Sequence, residues 1–336
     1  MYGPGAGSAA TAAVARLLLS GLLLLSGVLL AAAPQARAAD YPDRPVRLVI
    51  PFPAGGSNDV VGRLVAGHLG DRLGRQLVVD NRSGAGGVVG TEAVAKAPPD
   101  GYTLLLVSMA HAVNPWLYRL SYDHAQDFAP VALIAEGENV LVVHPSVPAT
   151  SVVELIAVAR DKPGALDYAS AGVGTFQHLG GEMFKLMAGV DMVHVPFRGG
   201  GPSMLSVIGG HTSVSFPSLA QSVPAIRSGQ LRALGTGGRA RTEVLPEVPT
   251  IAEAGVPGYN ATNWWGIVAP AATPSAIVAR LHGEIDALLK SPQVVHQLAS
   301  EGATPAAMTS AAFGEFMARE TEKWGRVVER GGLRTQ

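Results

Sequence analysis

Residues 48–65, LVIPFPAGGSNDVVGRLV, pass from an apolar β-like run through Pro-Ala-Gly-Gly into a helical pattern. Gly55 and Gly56 stand just before the helix start, where free backbone N–H groups and the helix dipole favour an anion. Glycine lets a ligand approach the backbone closely, and Ser57 and Asn58 add side-chain donors. Ser57 or Asn58 also suits the N-cap, ahead of an apolar face of Val60, Val61, Leu64, Val65, Leu69 and Leu73. An anion cradle and a plain capped helix with a flexible entrance both fit this turn. A second turn of the kind lies in SAGVGTFQHLGGEMF, 170–184, where Gly172 and Gly174 precede Thr175, an N-cap for a helix carrying Leu179, Met183, Leu186 and Met187. VDMVHVPFRGGG at 190–201 echoes VRLVIPFPAGG at 46–56, each running through Pro-Phe to a glycine pair before a helix.

Other chemistries fit less well. His178 and Glu182 have a helical metal-ligand spacing, but two ligands are not a site and the remaining histidines show no such pattern, so no metal is expected. GGSND fails the nucleophile elbow because Asp59 takes the last glycine position. GAGGVVG at 84–90 resembles a dinucleotide loop, yet DNRS separates it from the preceding strand and Glu92 arrives too early for a ribose-binding acid. No cofactor is expected. The chain has no cysteine, which excludes disulfides, thiol nucleophiles and zinc–thiolate sites.

The elements that must position these turns alternate. Short β-branched runs (VRLVI, LVV, YTLLLVS, VLVVH, LDYAS, MVHVPF, TSVSF, LRALGT) are separated by helical stretches of 8–15 residues, the pattern of an α/β protein with mostly parallel sheets flanked by helices. Two longer helices close the chain: 274–290 with Ile277, Leu281, Ile285 and Leu288 on one stripe, and 310–330 with Phe313, Phe316, Met317 and Trp324 on another. The Pro- and Gly-rich stretch 242–274, containing Trp264 and Trp265, reads as a return crossing between domains. At the other end, Arg16, an apolar run from Leu17 to Ala33 and Ala36-Arg37-Ala38 read as a signal peptide cleaved after Ala38, which predicts a soluble, exported, monomeric protein. Its removal takes Arg16 and Arg37 and no acids, lowering 25 basic residues to 23 against 26 acidic, a charge of −3 that gives no sign of nucleic acid or an anionic membrane as partner. The remaining length suggests two domains with an adequate core.

Read together, YPDRPVRLVIPFPAGGSNDVVGRLVAGHL, VVDNRSGAGGVVGTEAVAKAPPDGYTLLL, FAPVALIAEGENVLVVHPSVPATSVVELIA, LDYASAGVGTFQHLGGEMFK, VHVPFRGGGPSM and LPEVPTIAEAGVPGY resemble the Bug family, periplasmic solute-binding receptors of tripartite tricarboxylate transporters. The resemblance implies a two-lobed Venus-flytrap clamshell, lobe 1 from 39–138 plus 264–336 and lobe 2 from 139–263. It implies a receptor, not an enzyme, that captures a small organic acid between the lobes for a membrane permease. An α/β hydrolase-like enzyme using the same cleft, or a sensor signalling to a membrane partner, are the competing functions. Carried over by position, ligand contacts would come from Phe52, Ala54, Gly55, Gly56, Ser57 and Asn58 with Ser108, Met109, Ala110 and His111 on one wall. On the other wall they would come from Gly172, Gly174, Thr175 and His178, then Gly199 and Gly200, then Phe216, Pro217 and Ser218. The sequence departs from the family at Asn58, where threonine is usual, at Phe176 and Gln177, where small polar residues are usual, and near Pro217 and Ser218, where an acid or amide is usual. No arginine clamp is needed for affinity: hydrogen bonds to a charged group contribute roughly 1.5–3 kcal/mol each, so four or five approach the ~8 kcal/mol of a micromolar complex after ordering costs. Arg198 is the nearest candidate cation.

Overall fold

The computed structural model describes residues 41–333; the leader reading for 1–38 lies outside them. In chain order come β1 (Val46–Ile50), α1 (Ser57–Leu73), β2 (Leu77–Asn81), a 3-10 turn (Ala85–Gly87), α2 (Val88–Ala95), β3 (Thr103–Ser108), α3 (Met109–Leu117) and β4 (Phe128–Glu138). There follow β5 (Val140–Val143), α4 (Val152–Asp161), β6 (Asp167–Ser170), α5 (Phe176–Ala188), β7 (Val193–Pro196), α6 (Gly200–Ile208), β8 (Val214–Ser215), α7 (Leu219–Arg227) and β9 (Arg232–Thr236). The chain closes with β10 (Thr262–Pro270), α8 (Ser275–Leu289), α9 (Pro292–Ser300), β11 (Ala303–Pro305) and α10 (Ser310–Arg330).

These strands form two sheets, ordered β11-β4-β10-β3-β1-β2 and β7-β6-β8-β5-β9, and each sheet carries one lobe of an α/β clamshell. Both are mixed rather than mostly parallel. In the first, β1 runs parallel to β2 and β3, whereas β10 is antiparallel to both β3 and β4. In the second, β6 is parallel to β7 and β8, and β5 is antiparallel to β8 and β9. β3 is buried along its whole length, as a strand covered on both faces by helices must be. The stretch 242–274 is more than a crossing, since nine of its residues form β10, which places Trp264 and Trp265 inside the first lobe.

The two closing helices bury the stripes their periodicity predicts. Ile277, Leu281, Ile285 and Leu288 of α8 are buried, and on α10 Phe313 and Trp324 are fully buried with Phe316 and Met317 partly so. Trp264 meets Phe313 and Phe316 edge-on at 6.0 and 5.4 Å between centroids, an arrangement the ring quadrupoles favour. α10 thereby fastens to the back of β10. Between the sheets, Gly237 N–H donates to the Asn139 carbonyl (2.8 Å) and Ala261 N–H to the Gly237 carbonyl (3.1 Å).

Candidate functional site

The parallel pairs decide where helices begin. β1 and β3 are neighbours, and each hands over at its C-terminal end to a helix, α1 and α3. In the second sheet the parallel trio β7-β6-β8 hands over to α6, α5 and α7. Five helix N-termini, each with unpaired first-turn amides, are thus gathered at two strand edges, the place where α/β proteins bind ligands. The loop before α5 comes close to the first lobe: a Cβ built on Gly174 would lie 2.7 Å from Cδ1 of Leu117, the last residue of α3.

On the first wall, Ala54, Gly55, Gly56 and Ser57 are exposed and Phe52 and Asn58 half-buried, with Phe52 lying against Gly87. The N-cap is Gly56, not Ser57 or Asn58, and no side chain caps the helix. Asn58 Oδ1 instead accepts from the Trp265 indole at 2.7 Å. The turn is fixed from below by Asp59, whose carboxylate accepts from Gly55 N–H (2.9 Å), Arg63 Nε (2.9 Å) and Asn81 Nδ2 (2.9 Å). Burial raises the Asp59 pKa, but these bonds outweigh it and hold the carboxyl below its ordinary range. Gly55 N–H is therefore occupied, while no hydrogen bond among the described residues reaches the amides of Ser57 and Asn58. Ser108 is the N-cap of α3 without a side-chain bond, Ala110 is half-buried, and Met109 is buried in the core. His111 is buried too: its Nε2 donates to the His124 carbonyl (3.0 Å) and its ring meets Phe128 edge-on. Desolvation pushes it down to about 4, so it is a neutral core histidine.

On the second wall the glycine amides are likewise taken by the chain itself. Gly172 N–H donates to Ser170 Oγ (3.1 Å) and Gly174 N–H to His178 Nδ1 (3.1 Å). Thr175 caps α5: its hydroxyl donates to the Gly172 carbonyl (2.7 Å) and accepts from His178 N–H. His178 stacks on His194 with centroids 4.0 Å apart, and His194 Nε2 lies 2.6 Å from Ser170 Oγ, so one stacked histidine pair, His178 buried and His194 half-buried, steadies the loop 170–175. Burial, with His194 and Lys185 adding to it, lowers His178 to about 3. Glu182 turns to Tyr168 and Lys185, while His178 Nδ1 accepts from Gly174 N–H. Gly199 donates to the Ala171 carbonyl (3.2 Å), leaving Gly200 and Gly201 to open α6. Phe216 is not a wall but a core ring, fully buried against Tyr168 and Phe184. The Pro217 carbonyl accepts from Val140 N–H (3.0 Å), and Ser218 is the N-cap of α7.

Of the six glycines named from the sequence, Gly55, Gly172, Gly174 and Gly199 thus have amides paired within the chain. Among the described residues, no hydrogen bond reaches the first-turn amides of Ser57 and Asn58, of Phe176 and Gln177, or of Gly200 and Gly201. Asp59 and Asn81 escaped sequence reasoning, although the Asp59–Arg63 spacing of four on a helix was a visible signal. Arg198 is exposed and makes no ion pair among the described residues.

A family model described as tripartite tricarboxylate transporter family receptor matches residues 61–333. The chain belongs to that family. BugT of Bordetella pertussis is 37% identical over 319 residues, covering 93% of this chain and 98% of BugT. Among solved structures, R. palustris Rpa4515 with adipate superposes with a TM-score of 0.80 at 37% identity, covering 88% of this chain and 99% of that one. MatC from Rhodopseudomonas palustris with bound malate gives 0.75 at 31%, covering 86% and 100%. Members of the tripartite tricarboxylate receptor family are periplasmic solute-binding proteins, not enzymes, and this receptor has their two-lobed α/β fold.

Proposed function

We propose that this receptor captures a small organic acid between lobe 1, residues 39–138 plus 264–336, and lobe 2, residues 139–263, and delivers it as a closed monomer to a membrane permease. The leader 1–38 is removed on export. What supports this reading is that α1 after one strand edge and α5 and α6 after the other begin with first-turn amides that no hydrogen bond among the described residues reaches, while burial keeps His111 and His178 neutral. Helix-start amides hold carboxylates without an arginine, and the solved relatives carry adipate and malate.

The test removes one donor from each wall at a time. Proline is tolerated at the first helical position, and Gly56 and Thr175 already have the extended backbone that a following proline requires. A thermal-shift screen over small organic acids selects a ligand, and titration calorimetry then compares wild type with Ser57→Pro and Phe176→Pro. Each variant should weaken binding by roughly tenfold or more, the value of a hydrogen bond to a charged group. If both bind the acid as wild type does, the two-wall capture is wrong.

A further inference from the structure

Gln177, the second residue of α5, is 6% exposed, and its Oε1 has no hydrogen-bond partner among the described residues. Buried polar groups are nearly always paired, so an acceptor left unmade at a helix start is the mark of a missing partner. Its neighbourhood is a close junction of helix starts. A Cβ placed on Gly200, the first residue of α6, would lie 3.2 Å from Gln177 Nε2 and 3.1 Å from Gln221 Oε1, a side chain from the start of α7. Three helix N-termini therefore meet over one glycine, and any larger residue there would push the two amides apart. No hydrogen bond among the described residues reaches the amide N–H groups of Gly200 and Gly201.

We infer that this junction opens on ligand capture into a subsite for the far end of the bound acid and selects a group that donates a hydrogen bond, a hydroxyl or a primary amide, over a second carboxylate. Such a group gives its hydrogen to Gln177 Oε1 while its own oxygen accepts from the α6 amides, which satisfies both sides at once. A carboxylate offers only lone pairs and would set them against Oε1. An apolar end would leave Oε1 buried and unpaired. Gln177 is thus a specificity-determining residue. The assignment presupposes capture of an acid between the two strand edges.

Four- and six-carbon acids ending in a methyl, a hydroxyl, a primary amide or a second carboxylate (butyrate, 4-hydroxybutyrate, succinamate and succinate; hexanoate, 6-hydroxyhexanoate, adipamate and adipate) form the probe set for titration calorimetry. Wild type should bind the hydroxyl- or amide-ended acid at least tenfold tighter than the methyl-ended acid and the diacid of the same length. Gln177→Leu, close to isosteric, should bring these affinities to within about threefold of one another. Gly200→Ala should weaken the hydroxyl- and amide-ended acids selectively. Circular dichroism verifies that both variants fold; if Gln177→Leu does not, Gly200→Ala decides alone. A diacid bound tightest by wild type, which would mean an amide turned with its donors inward, overturns the assignment. So does an equal change for all four end groups in the variants that fold. If no acid binds folded wild type at all, capture of a carboxylate falls first and the subsite with it, a result distinct from loss of selectivity.

Discussion

His178 converts acidity into lost stability. Its Nδ1 accepts from Gly174 N–H, so the ring proton sits on Nε2, and a second proton would set N–H against N–H in a site 2% exposed. Facing it are His194, Tyr168, Lys185 and Glu182; His194 and Lys185 add to the burial that brings its pKa down to about 3. The folded pKa lies below the unfolded value of about 6.5, so the unfolded chain binds more protons through this interval. The contribution is fully present above pH 6.5 and is lost as pH falls from there towards 3. At about 1.36 kcal/mol per pH unit, descending from 6.5 to 5 removes about 2 kcal/mol. His111, brought down to about 4 by its own burial, loses a similar amount in the same window. In urea titrations at pH 7.5 and 5.0, His178 and His111 together should account for about 4 kcal/mol of wild type's loss, a large share of a typical domain's stability. In His178→Asn, whose Oδ1 takes the place of Nδ1 as acceptor, the loss should be smaller than in wild type by about 2 kcal/mol. Burial also lowers His124 and His194, which add to the loss, and raises the Glu136 and Glu138 carboxyls, which work in the opposite direction, but these groups are present in both proteins, so the difference reports His178. Equal losses in the two proteins would refute the acceptor role of Nδ1.

Three further outcomes follow from the same geometry. Acid affinity should stay flat between about pH 8 and 6 at constant salt, because neither His111 nor His178 becomes a cation there; tightening on acidification that vanishes in His178→Asn would show a histidine clamp instead. Gly174→Ala should weaken ligand binding with the fold retained, since Gly174 sits at φ +77° and the new methyl would press on Leu117; calorimetry on Gly174→Ala with and without Leu117→Ala checks it, the second change restoring part of the affinity. Thr175→Val should cost about 1 kcal/mol of stability through the lost cap, and an unchanged urea midpoint would remove the hydroxyl from that role.

The alternation of strands and helices and the apolar stripes of α8 and α10 were legible in the sequence because burial on one face leaves a period. β10 was not: Asn263 to Pro270 is buried on both faces, so it has no alternation, and its Pro- and Gly-rich approach reads as a connection. Strand direction is equally silent in a run of nine residues, which is why the mixed sheets could not be foreseen. For the candidate site, the sequence located the turns but not the state of their amides. Whether Gly55, Gly172 or Gly174 keeps a free N–H depends on acceptors supplied by Asp59, Ser170 and His178, and an acceptor's direction is set only when the helix beneath it is packed. Phe216 shows the converse: its place beside the loop was legible, its inward orientation onto Tyr168 and Phe184 was not.

The position of β10 also governs the order in which the molecule can assemble. It lies between β3 and β4, so the six-stranded sheet has a gap at its centre until residues 262–270 have been made. Everything before it, including the whole second sheet, is synthesised while β3 and β4 lack the neighbour they share. Their ladder groups and the surfaces destined for Trp264 and Trp265 then remain unpaired, and a chain that pauses there is held open by its own topology. A ribosome-released fragment ending before Thr262 should stay protease-sensitive in its first 138 residues, and the lobe should close as one late event once the missing strand arrives.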